Sequence, residues 1–138
     1  MAIQTDGKII VIGTLDSDFT LLRYTSAGVL DTIFGTSGIV ITDIGTGTAD
    51  QANSVVVQPD GKIVVAGSSA SDFAVLRYTS AGVLDTTFGT SGKKVVDIGT
   101  GTADQADCVA IQPDGKIVVA GNRRFAGDDD FAMIRLWP

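Results

Sequence analysis

The chain has 138 residues, 44% hydrophobic and 19% charged, which is the length of one domain with enough apolar content to bury a core and too little charge for disorder. A net charge of −6 without a basic stripe excludes the attraction to phosphate backbones on which nucleic-acid binding rests. All sixteen acidic residues are aspartate and histidine is absent, so Ser-His-Asp and Cys-His sites and the commonest zinc ligands are excluded too.

The first ten residues, MAIQTDGKII, lack the basic and apolar regions of a signal peptide, and no apolar run approaches the roughly 20 residues of a membrane-spanning helix. From Gln4 the chain repeats itself. The string Gln4-Thr5-Asp6-Gly7-Lys8-Ile9 recurs from Gln58 and again from Gln112, a period of 54, and the first two copies share 37 of 54 residues. We read residues 1–138 as a single repeat domain with copies 4–57, 58–111 and 112–138, the last truncated.

In the second copy, strand-like runs fall at 54–58, 62–67, 72–78 and 93–98. Pro59-Asp60-Gly61 between the first two is a tight-turn signature, because proline presets φ and glycine accepts positive φ. The run Ile63-Val64-Val65-Ala66 is apolar throughout, which predicts a strand covered on both faces. Residues 79–92, rich in Gly and Ser, form a structured connection, and Gly99-Thr100-Gly101-Thr102-Ala103 a loop to the next copy. Cys108, the only cysteine, replaces Ser54 and is read as a small strand residue. The third copy carries four extra residues between Asn122 and Asp129 and is read as having a longer loop there, with Arg123-Arg124-Phe125 at its tip. No window has helical periodicity, so the fold class is all-β. Four short strands at this period predict a β-propeller-type repeat, with about three four-stranded blades and the last incomplete; propeller periods run roughly 40–50 residues. A β-solenoid, whose coils are shorter, fits the proline-bearing hairpin less well.

Three strings sharpen this: QPDGKIVVAG at 58–67 and 112–121, DFAVLRY at 72–78, and LDTTFG at 84–89. They resemble the delta-60 repeat family of large bacterial surface or secreted proteins, over nearly the whole chain. The first copy departs at Thr5 and Ile33, the third in its insertion and its ending. The resemblance implies propeller-like β-structure, an extracellular or cell-surface location, and no catalytic residues.

The candidate side chains favour architecture over chemistry. Two aspartates could flank a glycosidic bond as in a glycosidase, but the aspartates recur copy by copy while an active site must occur once. Asp18/Arg23 recurs as Asp72/Arg77 and Asp130/Arg135. An offset of five places the two side chains on opposite faces of a strand, so each should reach a neighbouring strand, loop or blade as a repeated structural ion pair. Asp128, Asp129 and Asp130 concentrate oxygen ligands and are the candidates for calcium, although no EF-hand loop is present and the alternative is a solvated acidic turn. Gly89-Thr90-Ser91-Gly92-Lys93 lacks the spacing of a phosphate-binding loop. No cofactor is expected.

The expected function is therefore a non-enzymatic structural or interaction module. The alternatives are a carbohydrate-binding propeller with equivalent sites between blades, for which glycan would be the partner, and an Asp-based glycosidase. Propeller rings usually hold about four to eight blades, so one chain should not close alone. Self-association into a homo-oligomer follows, as a dimer closing a six-bladed ring or as a head-to-tail filament.

Overall fold

The computed structural model describes residues 1–99 and 103–138, and all of its regular structure is β. The first sheet contains β1 (Ala2–Ile3), β2 (Ile9–Leu15), β3 (Asp18–Tyr24) and β4 (Ile39–Thr42). The second contains β5 (Asp50–Val57), β6 (Ile63–Ser69), β7 (Asp72–Tyr78) and β8 (Lys93–Val96). The third has three strands, β9 (Ala103–Ile111), β10 (Ile117–Phe125) and β11 (Asp128–Leu136). Every sheet is an antiparallel meander in chain order. Of the expected 99–103 loop, residues 100–102 lie outside the described residues, and Ala103 already opens β9.

The repeat copies and the sheets are out of phase. Gln58, where the second copy begins, sits in the hairpin between β5 and β6, so the copies cut each sheet after its first strand. That hairpin is built as its sequence demands. Gln58 N donates to Lys62 O (2.8 Å), Asp60 Oδ1 accepts from Lys62 N (3.1 Å), and Gly61 supplies a φ of 86°. The same bonds recur around Gly7 and Gly115.

The second hairpin of each sheet is a two-residue turn with both residues at positive φ: Asp16-Ser17, Ala70-Ser71 and Ala126-Gly127. This is the primed geometry that matches strand twist, here mostly without glycine. In the third sheet the four extra residues are not a loop. They lengthen β10 and β11 to nine residues each, against seven in β6 and β7, and they pair in register. Two residues added to each strand keep the pleat in phase, so the core face is undisturbed.

The sheets stack face to face. One cluster joins Ile10, Phe19, Leu21 and Phe34 of the first sheet to Ile63, Val65, Ala74, Leu76 and Tyr78 of the second. The other joins Val64, Ala66, Phe73, Val75 and Phe88 to Ala106, Val109, Ile117, Val119 and Ala132 of the third. The middle sheet is thus covered on both sides, and Ile63, Val64, Val65 and Ala66 are all fully buried, as the unbroken apolar run predicts. Each such side chain contributes about 1.5–3 kcal/mol on burial, apart from the smaller alanine. These sheets are the blades of a propeller sector, with first strands side by side (β5 touches both β1 and β9) and β4 and β8 outermost.

Candidate functional site

The blade junctions hold every buried charge of the described residues, in two repeated constellations. The first is an arginine clamp. Arg23 ends β3 next to Tyr24, and its Nε lies 2.9 Å from Asp31 Oδ2 in the following turn. Its Nη1 donates to Ser80 O of the second blade (2.6 Å), and its guanidinium stacks over Phe34. Arg77 repeats the arrangement. Its Nε is 2.9 Å from Asp85 Oδ2, though off the hydrogen-bond axis, its Nη2 donates to Thr87 Oγ1 (3.1 Å), and it lies over Phe88. Lys8 and Lys62 approach the same carboxylates at 3.3 and 3.2 Å.

Burial alone would raise the pKa of Asp31, but the Lys8 hydrogen bond and the Arg23 charge outweigh it and hold the carboxyl below its usual range. Asp85 is held far below that range, first by the Thr87 hydroxyl, against the opposing effect of burial, and then by the Thr87 amide, Lys62 and Arg77.

The arginines therefore do enter ion pairs, but their partners are Asp31 and Asp85, eight residues onward. Asp18 and Asp72 take no part in any ion pair among the described residues. They open β3 and β7, and their carboxylates gather with other aspartates instead. In the third blade Arg135 is exposed and forms no ion pair among the described residues. Asp130 is instead 3.3 Å from Arg123, and Asp129 is 3.7 Å from Arg124, across the extended hairpin. Asp128, Asp129 and Asp130, the candidates for calcium, are strand residues. They lie in β11, where successive side chains alternate faces, and two of the three face arginines rather than one another. The expected basic loop of Arg123, Arg124 and Phe125 is instead the end of β10, the central strand of its sheet.

The second constellation is acidic. Asp18, Asp43 and Asp50 bring one carboxylate oxygen each to within 4.8 Å of one another, and Asp72, Asp97 and Asp104 repeat the cluster. Asp18 and Asp72 begin third strands, Asp43 and Asp97 directly follow fourth strands, and Asp50 and Asp104 lie at the start of the next blade's first strand. Each cluster therefore spans two blades. Asp50 accepts from Ile44 N and Thr48 Oγ1, both at 2.8 Å. Asp104 accepts from Ile98 N (2.8 Å) through Oδ2. The pKa values of Asp18 and Asp72 are raised, first by burial and then by the neighbouring carboxylates. The 54-residue spacing marks Asp43/Asp97 and Asp50/Asp104 alike as recurring aspartates, but it does not show that they converge with Asp18 and Asp72.

Next to these clusters a polar cavity opens across the blades, lined by Ser17, Asp50, Gln51, Asp104, Gln105 and Asn122 among others, with no aromatic ring on which a sugar could stack. Main-chain bonds staple its rim. Asp50 N donates to Ser17 O (2.8 Å) and Asp104 N to Ser71 O (2.6 Å), so each hairpin tip is held by the first strand of the next blade.

Three segments of the chain, 4–34, 58–88 and 112–138, match the model of a β-propeller domain of unknown function, DUF5122. The chain belongs to this β-propeller family. The matched segments fall at the 54-residue repeat and cover well over half of the sequence, while the narrower delta-60 name remains a resemblance. No curated protein matches the chain.

Proposed function

We propose that the protein is a non-enzymatic assembly module whose copies associate head to tail through the flat faces of their terminal blades. The observation that carries this reading is Phe131. Its counterparts Phe19 and Phe73 are fully buried under the following blade, whereas Phe131 is fully exposed, with Met133 beside it at 69%. A covering surface of the right kind exists on the same chain. At the second junction Phe73 and Val75 pack with Ile117, Val119 and Ala132. The positions in the first blade that match those three are Ile9, Val11 and Thr20. Ile9 and Val11 are only half-buried, although their second-blade counterparts Ile63 and Val65 are fully buried. A second copy would thus bring to Phe131 and Met133 the surface that the chain already uses twice.

Exposed apolar faces of this extent drive association, and identical heterologous contacts give a closed ring or a filament according to the rotation at each step. Static light scattering tests the reading. A mass of two chains or more at micromolar concentration is expected, and Phe131→Asp with Met133→Asp should return it to one. A stable monomer of the unaltered chain sinks the proposal.

A further inference from the structure

We infer that the Asp72–Asp97–Asp104 cluster binds a hard divalent cation of the calcium type, pinning the second blade to the third; in the counterpart Asp18–Asp43–Asp50 both oxygens of Asp50 already accept hydrogen bonds. Geometry is the first support. Oxygens bound to one calcium ion at about 2.3–2.6 Å lie no more than about 5 Å apart, and the three carboxylate oxygens in each cluster meet that limit.

The second support is independent of the clustering. Asp104 is only 2% exposed, and its Oδ1 has no hydrogen-bond partner among the described residues. A buried carboxylate with a bare oxygen is costly unless a positive charge faces it. None of the protein's own cations does so. Among the described residues no lysine or arginine forms an ion pair with any of the six aspartates, and Lys93, the cation that comes near, donates to the Asp43 main-chain carbonyl instead. Three like charges therefore converge, one of them buried.

An all-oxygen, all-carboxylate donor set selects a hard ion. Irregular geometry favours calcium over magnesium, which needs a near-ideal octahedron, and water would complete the shell of about six to eight oxygens. Asp97 is exposed, so the site has an open side for entry and for that water. The ligands come from the third strand of one blade, the end of its fourth strand, and the first strand of the next. Bound cation would therefore bridge the two blades at this junction.

Calorimetric titration of calcium chloride into chelator-treated protein tests this. One ion per chain is expected, and Asp97→Asn should remove it. Melting gives a second readout. Calcium should raise the Tm of the unaltered chain, and the Asp97→Asn variant should lose that rise while remaining folded. If the clusters are merely repelling carboxylates, the outcomes reverse. No ion binds at millimolar calcium, the Tm ignores both calcium and chelator, and Asp72→Asn raises the Tm equally with and without calcium.

Discussion

Phe73 and Phe131 occupy the same place in the repeat and end in opposite environments, one sealed between blades and the other bare. The same divergence holds for Arg77, clamped to Asp85, and Arg135, exposed. It extends to Gly67, pressed against Gln51 O, and Gly13, with open space beside it. The strand residues are nearly constant, so the difference lies in what surrounds them, the next blade for Phe73 and the rest of the same blade for Arg77 and Gly67. A blade's sequence encodes two sticky faces, and only the next blade converts them into stability. Repeat proteins in general divide their energy in this way, into intrinsic terms and nearest-neighbour interfaces.

Truncating the two phenylalanines should show the largest contrast. Phe73→Ala removes a fully buried ring from the second junction and should cost about 3–5 kcal/mol of unfolding free energy. Phe131→Ala should leave the stability of the single chain nearly unchanged and weaken association instead. Urea unfolding combined with light scattering separates the two readouts, and equal losses of stability would break the comparison.

The arginines come next. Arg77→Ala strands the buried carboxylate of Asp85 and should cost about 3 kcal/mol, whereas Arg135→Ala should stay within about 0.5 kcal/mol. Denaturation midpoints decide it, provided the m-values agree.

Glycine supplies a third pair. A Cβ built on Gly67 would lie 1.8 Å from Gln51 O, because β5 bulges at Asn53 and brings its main chain close to β6. The bulge turns Asn53 Nδ2 onto Ala106 O of the third blade (2.9 Å), so the crowding supports a junction contact. Gly67→Ala should cost about 1–3 kcal/mol, as overpacking does. Gly13→Ala, whose added Cβ meets nothing within 4 Å, should be neutral or stabilise by a few tenths of a kcal/mol up to about 1 through loss of unfolded-chain entropy. Thermal melts of the two variants provide the check.

How far these contrasts were legible in the sequence depends on distance along the chain. The 54-residue period, the Pro59-Asp60-Gly61 turn and the unbroken run at Ile63–Val65 state the sheets and the doubly covered middle blade, because each is a local signal. The hairpin tips were harder. Asp16-Ser17 and Ala70-Ser71 adopt positive φ without glycine, and their main-chain bonds to the next blade, which hold them there, have no local signature. That also explains why the insertion near Ala126 resembled a loop rather than two longer strands. The partner of Arg77 was hidden because Asp85 returns from a connection whose path the strand pattern does not determine. The acidic clusters draw on residues up to 32 apart and on two blades, so only the packed junction assembles them.

The smallest effect concerns acid, and it sets the two constellations against each other. An unfolded aspartate titrates near about 3.9. Asp31 and Asp85 are depressed in the folded chain, so what they contribute is fully present above about pH 4 and is lost as the pH falls toward their folded values. Asp18 and Asp72 are raised, so the folded chain takes up their protons first, and stability gains as the pH falls from neutral through their folded values toward about 3.9. In chelator, stability should therefore rise slightly on mild acidification and then decline below about pH 4. Asp72→Asn should reduce the rise and leave the decline, while Asp85→Asn should reduce the decline. Calorimetric melts from pH 7 to pH 3 measure both limbs. A monotonic fall from neutral pH would show that the clustered carboxylates do not repel one another across the junction, and that the arginine clamps alone set the response to acid.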